Sequence, residues 1–203
     1  MVQEQLIERG IRDDRVLSAM RSVPRHLFVP ESVRRAAYSD QPLPIGWQQT
    51  ISQPLMVALL LEALELRGDE TVLDVGTGSG YQAALLARLA RRVLSVEIVP
   101  ELAYLASGTL ERLRVRNVTV VVADGGLGAP EAAPFDAIVV AAASPSVPPP
   151  LVAQLADGGR LVVPVGTGTW QRLVRVRRSG RELTEQQLGA CAFVRLRGAH
   201  GEP

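Results

Sequence analysis

VLDVGTGSGY, residues 72–81, is an apolar run that breaks into three glycines at two-residue intervals and resumes on an aromatic. Val72, Leu73 and Val75 read as a buried strand, and SGYQAALLARLA at 79–90 reads as the helix that follows it. At such a junction the glycines let the main chain come close to a ligand, while free amides at the helix start favour polar or anionic atoms. Spacing then separates one ligand from another. The dinucleotide fingerprint G-x-G-x-x-G needs its third glycine at position 81, where Tyr81 stands. Gly76, Gly78 and Gly80, with Thr77 and Ser79 between them, give G-x-G-x-G instead. Asp74, two residues ahead of Gly76, sets a carboxylate at the mouth of the strand. There it would repel a pyrophosphate and suit a ligand carrying an ammonium and a sulfonium.

Two further acids follow downstream at equivalent places. The strand RRVLSVE ends on Glu97, and the strand NVTVVVAD ends on Asp124, followed by Gly125. A carboxylate at the end of the second strand can accept both ribose hydroxyl protons, and one at the end of the third can accept from an adenine amino group. Either acid alone reads equally well as a solvated loop residue. Three acids at consecutive strand ends, beside the glycines, read as a nucleoside site.

Working outward, LMVALLLEALEL (55–66) and PELAYLASGTLERL (100–113) read as helices, and FDAIVVA (135–141) and GRLVVPVG (159–166) as strands, with a short helix near Pro150–Leu155. Strands apolar throughout, alternating with helices, specify a parallel sheet covered on both faces, and right-handed crossovers make it doubly wound. QRLVRVRRSG and RELTEQQLGACAFVRL alternate around Ser179-Gly180, which predicts an antiparallel hairpin at one sheet edge. At the other end, helical spacing predicts two short helices before Val23, the second capped by Asp13. Residues 23–54 hold five of the fourteen prolines and no sustained period, so they read as ordered loop with one helical turn around Ser32–Ala37. A loop this long within a domain points to function. The expected fold is therefore α/β and Rossmann-like. It consists of a doubly wound, mostly parallel sheet with an antiparallel C-terminal hairpin and an N-terminal helical extension. One domain spans 1–203, made of helices and loop (1–54), an α/β core (55–166) and the hairpin region (167–203).

Composition narrows the chemistry. All 22 basic residues are arginine, and the absence of lysine excludes Schiff-base chemistry, pyridoxal phosphate anchoring and a Walker-type phosphate lysine. A net charge of +1 gives no global reason to bind nucleic acid or acidic lipid. One cysteine, Cys191, reads as a small buried hydrophobe, and with only His26 and His200 beside it no metal site is expected. The start MVQEQLIERG lacks a signal-peptide core, and no stretch approaches the ~20 apolar residues of a membrane span. A cytoplasmic monomer without nucleic-acid or membrane partners is the expectation.

The acid-x-G-x-G-x-G run at 74–80 resembles motif I of S-adenosylmethionine-dependent methyltransferases. AAYSDQPLPIG (36–46) and QTISQP (49–54) resemble the protein-L-isoaspartate (D-aspartate) O-methyltransferase family. The resemblance is near full length, through VPRHLFVP (23–30), PFDAIVVAAASP (134–145), GGRLVVPVG (158–166) and FVRLRGAHG (193–201). It implies methyl transfer from S-adenosylmethionine to the free α-carboxylate of isoaspartyl residues in damaged proteins and peptides, leaving S-adenosylhomocysteine and a methyl ester that collapses to succinimide. It also implies that Ser52 is the residue tied to activity, with Thr50 and Ile51 beside it at the substrate. The cofactor set becomes Gln53, Met56, Asp74, Gly76, Thr77, Gly78, Ser79, Gly80, Glu97, Asp124, Gly125 and, less directly, Gln171. Ser52 is read as a positioning donor, because a nucleophilic serine needs a base that this sequence does not offer. On the residues alone, Thr50 and Ser52 could also merely cap the helix beginning near Pro54, the lesser of two readings that can hold at once. His26 is expected to be structural.

Gln48, Ala141 and Arg195 depart from the family pattern, which has glycine, threonine and proline there, and they bear on substrate scope. Three other readings remain beside repair. They are a carboxyl methyltransferase for one dedicated peptide, an NAD-dependent oxidoreductase on the same type of sheet, and a cofactor-binding module without turnover. Tyr81 and Asp74 argue against the second, and the intact acids with Ser52 against the third.

Overall fold

The computed structural model describes residues 1–202. A two-stranded hairpin, β1 (Leu43–Gly46) and β2 (Gln49–Ile51), precedes the main sheet. That sheet contains β3 (Thr71–Val75), β4 (Arg92–Glu97), β5 (Val118–Val122), β6 (Phe135–Val140), β7 (Leu155–Val165), β8 (Gln171–Ser179) and β9 (Glu182–Cys191). The helices are α1 (Asp14–Ser22), α2 (Pro54–Ala63), α3 (Tyr81–Leu89), α4 (Pro100–Arg112) and the short α5 (Pro149–Ala153). In space the strands run β5-β4-β3-β6-β7-β8-β9. β3 to β7 pair in parallel, while β8 and β9 add antiparallel pairings at the edge. The fold class is the expected one.

The chain leaves β3 outward through β4 and β5, then returns to β6 on the other side of β3. Strand order therefore reverses beside β3, and at such a switch point the loops leaving neighbouring strands part to form a crevice at their carboxyl ends. Alternation along β3 sends its side chains into two different layers. Val72 joins an apolar layer with Leu60, Leu85 and Leu86 from the helices, whereas Leu73 and Val75 face Phe135, Ile138, Leu161 and Leu196. Each fully buried side chain of this size contributes about 1.5–3 kcal/mol by leaving water. The second face is covered thinly, by α5, by 3-10 turns at Gly125–Leu127 and Pro130–Ala132, and by the C-terminal segment.

Local sequence explains the ends of several elements. Asp13 caps α1 as expected, accepting from the amides of Arg15 (2.8 Å) and Val16 (3.1 Å). Asn117 ties the end of α3 to the start of β5, its amide nitrogen donating to the carbonyls of Ala87 and Ala90 at 3.0 and 3.2 Å. The stretch 23–54 is more structured than its prolines suggest. It carries 3-10 turns at Arg25–Phe28 and Glu31–Ala36 and the β1–β2 hairpin. Pro44 is tolerated because its strand is at an edge, and Leu43, Ile45 and Ile51 are buried beneath it. The hairpin turns at Trp47 and Gln48, both at positive φ (48° and 59°), a conformation that favours glycine or asparagine.

At the opposite end of the sheet, Glu70 and Arg160 form a buried ion pair at 2.8 Å. Arg160 also donates to the carbonyls of Leu64, Glu65 and Asp136, and Glu70 accepts from the amides of Arg67 and Gly68. Together they join the α2–β3 turn to β7. No helix among the described residues is long and apolar enough to cross a membrane.

Candidate active site

The crevice at the carboxyl ends of β3, β4 and β6 is a cleft partly open to solvent. Its floor is the glycine turn. Gly76 and Gly78 adopt positive φ (90° and 52°), and the amides of Gly76 and Thr77 donate to the Val96 carbonyl, which fastens the turn to β4. Glu97 closes the ring, accepting from the amide of Gly78 at 2.8 Å and from that of Val99 at 3.0 Å. A carboxylate has about four acceptor positions, so Glu97 retains capacity for ligand hydroxyls. Ile98 stands exposed beside it as an apolar face for a flat ring.

Asp74 corrects the sequence-based expectation. Its carboxylate is not at the mouth of the strand but fully buried, because alternation along β3 turns it toward α3. It accepts from Gln82 Nε2 (2.8 Å) and Ser95 Oγ (2.7 Å), and Ser95 in turn meets Thr77 Oγ1 at 2.6 Å. Burial pushes its pKa up to about 6, against the pull of those two hydrogen bonds. Asp74 therefore braces the turn from below.

Several other expected residues are also placed away from the cleft wall. Gly80 packs on α4, where an added Cβ would lie 3.1 Å from Ala106 Cβ. Asp124 is half-buried and accepts from the amides of Gly126 (2.8 Å) and Ala199 (2.7 Å), so it fastens the C-terminal segment while Gly125 lines the cleft. Gln171 is buried with both ends of its amide engaged, donating to the Gly168 carbonyl and accepting from the Phe193 amide, each at 2.8 Å. Gln53 and Met56 lie half-buried outside the lining.

The structure does bring Thr50, Ile51 and Ser52 together with Gly76, Thr77, Gly78, Ser79, Glu97 and Gly125 around one cleft. The N-cap of α2 is Gln53, and neither Thr50 nor Ser52 makes a capping bond to it. Their hydroxyls have no hydrogen-bond partner among the described residues and are free for a ligand. Arg25, overlooked within VPRHLFVP, holds this loop. Its buried guanidinium donates to the carbonyls of Ser52 (2.8 Å) and Ala37 (2.7 Å) and lies over the Tyr81 ring at 4.9 Å. The signal for it was the one arginine inside a largely apolar, proline-flanked run. The neighbouring His26 bonds Tyr38 Oη at 2.7 Å, outside the cleft. Val194–Arg197, at the end of the chain, supplies a further wall that sequence reasoning had noted only at Arg195.

These residues fit S-adenosylmethionine. The turn admits a backbone-close ligand, Glu97 and Ile98 suit a ribose beside an aromatic base, and neither Gly76 nor Gly78 is crowded by its neighbours. Fold and cleft define an S-adenosylmethionine-dependent methyltransferase. A family model described as protein-L-isoaspartate(D-aspartate) O-methyltransferase matches residues 1–201. The chain belongs to that family.

Among its relatives, protein-L-isoaspartate O-methyltransferase 1 of Syntrophobacter fumaroxidans is 57% identical over 99% of this chain and 94% of its own length. The protein-L-isoaspartate O-methyltransferase of Methanoculleus marisnigri is 56% identical over 99% of this chain and 91% of its own. A solved structure from Plasmodium falciparum, described as a putative protein-L-isoaspartate O-methyltransferase in complex with S-adenosyl-L-homocysteine, is 28% identical. It superposes with a TM-score of 0.83 over 97% of this chain and 96% of its own.

Proposed function

We propose that this chain methylates the free α-carboxylate of L-isoaspartyl residues in damaged proteins and peptides, and that the cleft residues divide the work as follows. In an isoaspartyl linkage the main chain runs through the side-chain carboxyl, leaving an α-carboxyl of pKa roughly 3.3–3.7 that is ionised at neutral pH. No general base is needed, which accords with a cleft whose one acid, Glu97, is already engaged by two amides. The bound cofactor supplies an electrophilic methyl group on a sulfonium. With the cofactor bound, the oxygen–carbon bond would form as the carbon–sulfur bond breaks and its electron pair returns to sulfur; the main-chain nitrogen of the isopeptide link would then attack the ester carbonyl, close the succinimide and expel methanol.

Ser52 and Thr50 hold the carboxylate by their free hydroxyls, and Arg25 fixes their loop from behind. Glu97 takes the ribose hydroxyls, Ile98 covers the base, and the Asp74–Ser95–Thr77 chain keeps the turn rigid. Orientation of this kind can supply about 7–11 kcal/mol toward a displacement. In this reading 1–54 carries the acceptor side, 55–166 the cofactor core and 167–203 the closing segment of one domain. The cleft is complete within one chain, which supports a monomer. A lone buried Cys191, unpaired, suits a reducing compartment such as the cytoplasm.

The observation that carries the proposal is the pair of uncommitted hydroxyls on residues lining the same cleft as the glycine turn, whose one carboxylate, Glu97, is held by two amides. Its test is transfer of labelled methyl to an isoaspartyl peptide beside the same peptide with normal aspartate. Base-labile label on the first alone is expected; equal labelling of both would overturn it. Ser52→Ala should lower kcat about 10- to 100-fold, the loss of one hydrogen bond to a charged group. Affinity for S-adenosylhomocysteine, measured by calorimetry, should stay within about twofold, since Ser52 holds only the acceptor.

A further inference from the structure

We infer that Arg195 and Arg197 form a subsite for the carboxylate of an acidic residue next to the isoaspartyl residue, with Glu202 occupying it when no peptide is bound. The inference rests on the function proposed above and names the substrates that the same cleft prefers.

The segment that closes the cleft is extended, and Arg195 bridges to Ala143 just beyond β6. Leu196 is buried in the apolar layer, so its two arginine neighbours share the other side of the segment, and both line the cleft. Of the charged residues lining it, Glu97 has its oxygens on main-chain amides, which leaves the two guanidiniums without an acid of the cleft to neutralise them. Arg197 is half-buried and has no side-chain partner among the described residues. Arg195 pairs with Glu202, the last of the described residues, and each side chain of this pair is 50% exposed. An ion pair that open to water is weak and exchanges readily. A carboxylate arriving on a peptide can replace Glu202 at little cost, and Arg197 gives it a second donor. The reacting α-carboxylate is the wrong occupant. A guanidinium clamped on it would draw charge from the attacking oxygen, whereas the neutral hydroxyls of Thr50 and Ser52 would not. The subsite therefore serves a neighbouring residue.

The test uses isoaspartyl peptides identical except for Glu or Gln on either side of the isoaspartate. On at least one side, Glu should lower KM about two- to fivefold relative to Gln with kcat little changed, the size expected for exchangeable surface charge pairs. The gap should shrink as salt is raised. In Arg195→Gln/Arg197→Gln the Glu-to-Gln ratio of kcat/KM should fall to about one; the ratio is formed within each variant, so a general loss of activity cancels. Glu202→Gln, a change at an exposed position, should widen it. Equal KM for Glu and Gln peptides in the unaltered enzyme, or a preference that survives in the double variant, overturns the subsite alone. Absence of transfer to every isoaspartyl peptide, the Gln ones included, overturns the proposed function and the subsite with it.

Discussion

Glu97→Ala is expected to weaken binding of S-adenosylhomocysteine by about 100-fold or more, measured by calorimetry. Two hydrogen bonds to a charged acceptor, each worth about 1.5–3 kcal/mol, are removed from the ligand, and a tenfold change corresponds to about 1.4 kcal/mol. The same substitution also frees the amides of Gly78 and Val99, so the glycine turn loses one of its ties to the end of β4 and keeps those to the Val96 carbonyl. Glu97→Gln is not a mild alternative. An amide group offers one oxygen where both main-chain partners are donors, so its NH₂ must face an N–H. Both variants should therefore lose cofactor affinity far more than Ser52→Ala does. If Glu97→Ala instead bound S-adenosylhomocysteine normally and lost only turnover, the division of roles in the cleft would be reversed.

Arg160→Met should lower stability by about 3–5 kcal/mol, because it leaves the buried Glu70 carboxylate without its partner. For a chain of this size the melting temperature should drop by on the order of 10 °C. Three main-chain carbonyls lose their donor at the same time, so the α2–β3 turn and β7 should loosen together. Adding Glu70→Gln to Arg160→Met should recover part of the loss, which a double-mutant cycle measures.

The pair also predicts a pH dependence. Burial alone would raise the Glu70 pKa, but Arg160 and the amides of Gly68 and Arg67 outweigh it and hold the pKa at about 2 against an ordinary 4.5. A depressed carboxylate contributes stability that is full above the unfolded value and lost as pH falls through the folded one. Denaturation midpoints should thus decline between about pH 4.5 and 2, and this part of the decline should be absent in Glu70→Gln.

The fold was legible because period and length agreed along the chain. Val72, Leu73, Val93, Ile138 and Val162 sit in strands apolar on both faces, and such strands have no stable home outside a covered parallel sheet. The hairpin at 43–51 was not legible. It is short, broken by Pro44, and turns on Trp47 and Gln48, which are poor formers of that turn, so only tertiary burial of Ile45 and Ile51 specifies it. For the cleft, spacing located Gly76, Gly78 and Glu97 because their placement is set by strand ends. It could not show which way Asp74 points, since that depends on which face of β3 meets α3. Nor could it show that Asp124 is engaged by the amide of Ala199, a partner 75 residues away in the chain.

Asn117 bears on how the enzyme itself ages. Isoaspartate arises when a main-chain nitrogen attacks the side-chain carbonyl of the preceding asparagine or aspartate, and asparagine is the more reactive of the two. This chain has a single asparagine, and its side-chain amide is pinned to carbonyls at the end of α3, with the branched Val118 following it. Cyclisation there would require the amide to leave those carbonyls and swing onto the Val118 nitrogen, opening the junction between α3 and β5. A catalyst that mends chemical wear in other chains is thus built to generate little of that wear at its own asparagine.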